Sequence, residues 1–139
     1  MNVAILGASN KPDRYSHKAL VLLAEKGHAV FPVHPALPEI EGRRVFKRLA
    51  DIPEPVHTVT MYVSAAHSSG LADAILAARP ARAIFNPGTE NPELEDQLSA
   101  AGIEVVRACT LVLLRTGQFY DFASGTRVSY LPPHAKETK

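Results

Sequence analysis

The chain contains a single cysteine, Cys109, so no internal disulfide can form, and a cytoplasmic address is expected. No apolar run approaches the roughly 18 residues that span a bilayer, and the start lacks a signal peptide's basic, apolar and cleavage regions. A membrane partner is therefore not expected. Net charge is also scarce, at +1 over 139 residues, which gives no reason to expect nucleic-acid binding. The histidines His17, His28, His34, His57, His67 and His134 show no i, i+4 pair and no accompanying cysteine pattern, so no metal site is expected. Ser9 lacks the sequence of a nucleophile elbow. Neither an acid–base pair nor a nucleophile with an activating partner is visible, so a non-catalytic role is expected.

What is there is ordinary globular material, 46% hydrophobic and 21% charged, of a length that suits one domain with one core. Its charge is unevenly spread. Residues 1–50 hold eight Lys/Arg against four acids, a net +4, and the remainder is −3. A basic first third on a near-neutral chain fits a site for one polyanionic small ligand, or scattered surface charge.

Residues 2–6 are a continuous apolar run after Asn2, which predicts a strand buried on both faces. The glycine turn Gly7–Ala8–Ser9–Asn10–Lys11 follows, and then a helix over 16–26 with Ser16 as N-cap and Gly27 at C′. Ala29–Val33 is a second strand, expected to be distorted or short at Pro32, which cannot donate to a ladder. Residues 34–55 read as an irregular crossover with at most a helical turn near Lys47–Ala50. His57–Val63 is a third strand, and 68–79 a helix with Leu71, Ala74, Ile75 and Ala78 on one face. Ala83–Asn86 is a fourth strand. Asn91–Pro92–Glu93 starts a helix that Gly102 stops, Ile103–Val106 is a fifth strand, and Thr110–Arg115 is a last helix or turn. Exposed apolar positions within Thr110–Phe122 would serve either a dimer contact or a cover for the sheet edge.

Such alternation predicts an α/β domain with a parallel sheet covered by helices on both faces. Ligands in these sheets bind beyond the strands' carboxyl ends. Those ends are Gly7–Arg14, Val33–Leu37, Tyr62–Ala65, Asn86–Thr89 and Arg107–Thr110. At the first, backbone amides and the following helix dipole suit a phosphate, with Ser9 and Asn10 as donors and Lys11 or Arg14 as counter-charges. Only Gly7 fits a G-x-G-x-x-G pattern, and the second strand end has no Asp or Glu to hold an NAD ribose; His34 there suits an adenosine or a phosphate. Arg43, Arg44 and Lys47 read as solvated charge. Asn86–Pro87–Gly88 either meets a ligand through backbone amides or starts the next helix. Cys109 is either a packing residue or a thiol at a helix N-terminus.

Val3–Ala4–Ile5–Leu6–Gly7–Ala8–Ser9–Asn10–Lys11–Pro12, then Val33–His34–Pro35, Gly42–Arg43 and Leu49–Ala50–Asp51–Ile52–Pro53, in this order, resemble the stand-alone CoA-binding domain family. These domains are similar to the N-terminal CoA-binding domain of the succinyl-CoA synthetase alpha subunit. The resemblance covers about residues 1–115. It implies a Rossmann-like three-layer sandwich with a five-stranded, mainly parallel sheet over residues 1–130, with 131–139 a polar tail. It implies coenzyme A or an acyl-CoA as ligand, with Gly7, Ala8, Ser9, Asn10 and Lys11 on its phosphates. Val33, His34 and Pro35 would border the adenosine, and Tyr62, Val63, Asn86, Pro87, Gly88 and Cys109 would surround the ligand. Members often carry Asn-Pro and a lysine where this chain has His34–Pro35–Ala36, so Lys11, Arg14 or Arg43 would take the ribose phosphate. The synthetase also needs a histidine-bearing domain and an ATP-binding partner, so ligase activity by this polypeptide alone is not expected. The alternatives are an NAD(P)-type oxidoreductase, a redox or acyl-transfer enzyme using Cys109, and a regulatory interaction module.

Overall fold

Each strand of this chain shows its role through which face its side chains occupy. In the computed structural model, which describes residues 1–119, β1 (Asn2–Leu6) is buried on both sides. Because strand side chains alternate, Val3 and Ile5 enter one core while Ala4 and Leu6 enter the other. Chain order continues with α1 (Tyr15–Glu25), β2 (Ala29–Val33), a hairpin of β3 (Glu39–Ile40) and β4 (Arg43–Arg44), and a 3-10 turn at Leu49–Asp51. Then come β5 (Thr58–Met61), α2 (Ala65–Ser68), a second 3-10 turn (Ser69–Leu71), α3 (Ala72–Ala78), β6 (Arg82–Phe85), α4 (Pro92–Ala100), β7 (Glu104–Arg107) and α5 (Thr110–Arg115).

Five strands form one sheet in the order β2-β1-β5-β6-β7, every pair parallel, giving the expected Rossmann-like α/β architecture. Leu20 and Leu23 of α1 pack with Leu113 and Leu114 of α5 on one face. Ile75 of α3 and Leu94 and Leu98 of α4 pack on the other. The chain leaves β1 first towards β2 on one side and later returns as β5 on the other, so the crevice that such a reversal opens lies beyond the carboxyl ends of β1 and β5.

Four local expectations needed correction. Pro32 leaves β2 regular, because β2 is an edge strand: the Pro32 carbonyl faces outward to accept from the Phe46 amide at 2.9 Å, so its missing donor is on the outer side too. The irregular crossover contains the β3–β4 hairpin, closed by Glu41 and Gly42, both at positive φ. Such two-residue turns normally announce themselves by Asn-Gly, which Glu-Gly does not. The helix over 68–79 is broken at Ser68–Leu71. There the Ser68 and Ser69 hydroxyls donate back to the Ala65 carbonyl, competing with the helical ladder beside Gly70. The apolar residues Leu113, Leu114 and Phe119 are buried in one core cluster with residues of the sheet and Leu111 is buried as well, leaving Val112 as the exposed one of this set. Phe122, the domain's end at residue 130 and the 131–139 tail lie outside the described residues. No described helix is long and apolar enough to cross a membrane.

Candidate functional site

The turn after β1 begins at Gly7, whose φ of +92° is open to glycine, and an added Cβ there would fall 2.7 Å from the Tyr62 carbonyl oxygen. The Gly7 and Ala8 amides both donate to the Val33 carbonyl, at 3.3 and 3.2 Å, so they tie β1 to β2. Lys11 N–H donates to Ser9 Oγ at 3.1 Å, and Arg14 N–H to the Lys11 carbonyl at 3.0 Å. This winds the chain into α1, which starts one residue before Ser16: Arg14 is the N-cap, no side chain caps the helix, and no acid is in its first turn. Ser16 is instead buried within the helix. Among the described residues, nothing accepts from the amides of Ser9, Asn10, Tyr15 or Ser16. Unfilled amides at a helix N-terminus with an uncompensated dipole are receptive to an anion.

These groups open into a cleft of about 740 Å³, within the range of small-molecule sites. The cleft brings together Gly7, Ala8, Ser9, Asn10, Lys11 and Arg14 from the first strand end with His34 and Pro35 from the second. Tyr62 and Val63, just after β5, and Pro87 and Gly88, just after β6, complete the gathering. Lys11 and Arg14 are exposed and form no ion pair among the described residues, and no carboxylate lines the cleft. His34 Nδ1 accepts from the Ala36 and Leu37 amides, at 3.0 and 3.1 Å, which leaves Nε2 as the ring's donor. Arg43, Arg44 and Lys47 do not line the cleft; Arg44 lies 4.6 Å over the Phe46 ring. The Gly88 amide donates to Glu90 Oε1 at 3.0 Å.

Val33, Asn86 and Cys109 stand apart from the cleft lining. Val33 is buried beneath the turn that its carbonyl anchors. Asn86 is buried with its amide fully engaged: Nδ2 donates to Thr60 Oγ1 at 2.7 Å and to the Met61 carbonyl at 2.9 Å, while Oδ1 accepts from Thr110 N–H at 2.8 Å. It pins β6 to β5 and to the start of α5. Cys109 is half-buried at the N-cap of that six-residue helix.

Tyr62 shows the cost of a buried polar end. Its Oη makes no well-formed hydrogen bond among the described residues, and burial, only partly offset by the nearby Thr110 and Thr60 hydroxyls, pushes the phenol up to about 12. The unfolded phenol ionises near 10, so above that pH the unfolded state releases a proton that the folded one holds, and stability falls as pH rises towards 12. Tyr62→Phe is expected to match the wild type within about 1 kcal/mol at pH 8. It should lose less stability by pH 11 in urea unfolding. Identical pH slopes for the two proteins would contradict this.

The cleft also contains Tyr15, Ser16, Leu37, Ser64, His67 and Thr89, which the choice of candidates passed over. Leu37, Ser64 and Thr89 were within reach of the strand-end rule alone. His67 was not: it arrives because α2 begins directly after β5, where Ser64 Oγ and His67 Nδ1 are 2.9 Å apart.

Against known proteins, a family model described as a CoA binding domain matches residues 1–115. A solved structure described as an uncharacterised protein is 42% identical, with 85% of this chain and 97% of that one covered and a TM-score of 0.81. YneT of Bacillus subtilis, also described as uncharacterised, is 26% identical over 75% of this chain and 77% of its own length. A dinucleotide-forming acetyl-coenzyme A synthetase of Ca. Korarchaeum cryptofilum, solved with phosphate and ADP, shares the fold at 23% identity and a TM-score of 0.68. The match covers 77% of this chain and a quarter of the synthetase chain.

Proposed function

We propose that this chain, which belongs to the CoA-binding domain family, holds coenzyme A or an acyl-CoA in the β1–β5 cleft as a non-catalytic binding domain. The observation that carries the reading is the cleft's charge: Lys11 and Arg14 beside the unfilled amides of the turn and of α1, with no carboxylate in the lining. A ligand with several phosphates is what such a site accommodates. Lys11, Arg14 and the Asn10 amide take the phosphates, and His34 Nε2–H and Pro35 border the adenosine. Tyr62 and Val63 face the remainder of the ligand. An NAD-type dinucleotide is less well served, since no acid stands at the end of β2 to hold ribose hydroxyls.

Ligand binding raises stability by RT ln(1 + [L]/Kd), so thermal melts with CoA, acetyl-CoA, dephospho-CoA, NAD and NADP at equal concentration rank the ligands. CoA and acetyl-CoA are expected to raise the melting temperature most. The double variant Lys11→Ala/Arg14→Ala is expected to weaken CoA binding by about tenfold or more, at roughly 1.5 kcal/mol for a charge-assisted bond. Lys26→Ala, exposed at the far end of α1, should leave it unchanged. A shift with NAD and none with either CoA species would overturn the reading.

A further inference from the structure

His17 is buried in the first turn of α1 and does not line the cleft. Its ring nonetheless joins the two crossovers that do. Nδ1 lies 2.9 Å from the Ser9 carbonyl oxygen, and Nε2 lies 3.0 Å from Glu41 Oε2. A carbonyl and a carboxylate only accept, so in this bridge Nδ1 donates to Ser9 and Nε2 donates to Glu41. No peptide bond among the described residues is cis, and a trans peptide sets the Asn10 N–H antiparallel to the Ser9 C=O. That carbonyl thus faces a buried ring that does not line the cleft. The Asn10 amide, which has no acceptor among the described residues, is thereby turned the other way, where Ser9, Asn10 and Lys11 form the cleft wall.

We infer that His17 is a positioning residue for the anion-binding turn, aiming the Asn10 amide at a ligand oxyanion through its bond to the Ser9 carbonyl, with Glu41 holding the ring in place. The inference rests on the proposed phosphate-bearing ligand. Glu41 supplies a second, independent observation. It sits at φ +52° in the β3–β4 turn, a left-handed conformation in which glycine or asparagine would be at ease. The residue at that position instead sends a carboxylate to His17, 24 positions earlier in the chain. The bridge links the crossover after β2, which brings His34 and Pro35 to the cleft, to the turn after β1.

The test follows the Asn10 amide in ¹H–¹⁵N spectra of the full chain while CoA, and separately inorganic pyrophosphate, is added. In the wild type that amide is expected to shift with either ligand. His17→Leu, which cannot donate, should weaken CoA binding by about tenfold, the worth of one such bond. His17→Asn keeps a donor near the Nδ1 position and should restore most of the affinity. Glu41→Gly relieves the left-handed turn while removing the carboxylate, so it should fold as stably as the wild type and yet bind CoA more weakly. That separation of stability from affinity is not what a merely structural contact would give. Wild-type affinity in His17→Leu, or an Asn10 amide that moves with neither ligand, would overturn the inference. A wild type that responds to pyrophosphate at Asn10 in a His17-dependent way, but does not bind CoA, would uphold it while overturning the CoA reading.

Discussion

Gly7→Ala is expected to lower stability by on the order of 3 kcal/mol and to weaken ligand binding by more than tenfold. Two effects combine at this position. The new side chain would have to adopt φ +92°, and its Cβ would lie 2.7 Å from Tyr62 O, 2.9 Å from Tyr62 C and 2.8 Å from Val63 Cγ1. The backbone atoms among these cannot retreat freely, because Tyr62 N–H donates to the Leu6 carbonyl at 2.8 Å, immediately before the glycine. Relief must come from prising apart β1 and β5, the two strands that flank the cleft. Gly88→Ala separates the two effects, since φ is +90° there but nothing lies within 4 Å of the added carbon. It should cost about 1 kcal/mol, from backbone strain alone. Urea unfolding of both variants provides the comparison, and equal losses at the two glycines would refute the crowding argument.

The second large effect is expected at Asn86. Asn86→Ala leaves the Thr110 amide without its acceptor and the Met61 carbonyl without one donor, both in buried surroundings. Each such orphan costs about 1–3 kcal/mol, so a loss of roughly 3 kcal/mol or more is expected in denaturant unfolding. The Thr60 hydroxyl keeps its 2.8 Å bond to the Thr110 hydroxyl, which limits the damage. Asn10→Ala, exposed at the cleft, should by contrast change stability by no more than about 0.5 kcal/mol. If Asn86→Ala unfolds like the wild type and instead loses ligand affinity, Asn86 touches the ligand and its structural assignment is wrong.

These two positions also mark how far the sequence reaches. Gly7 was legible because its role depends on neighbours in the chain: an apolar strand, one glycine, a polar turn and an amphipathic helix. The same holds for Asn91–Pro92, where Asn91 accepts from Leu94 N–H at 3.2 Å and Pro92 takes the first helical position. Asn86 was legible only as a polar residue at a strand end. Which way its amide faces depends on Thr60 and Thr110, each at least 24 positions away, and no local pattern encodes that choice.

The sequence by itself determined the alternation of strands and helices, the apolar run of β1 after Asn2 and the glycine turn that follows it, because periodicity, turn chemistry and capping act over a few residues. Only the tertiary structure decided which of the turn's amides remain free. Gly7 and Ala8, the nearest to the glycine, are occupied by the Val33 carbonyl, while Ser9 and Asn10 have no acceptor among the described residues. It also decided that Lys11 and Arg14 rather than Arg43 line the cleft, and that His17 meets Glu41. Hydrogen-bond partners and cleft walls are set by which strands lie side by side, and in a parallel sheet neighbouring strands come from distant parts of the chain.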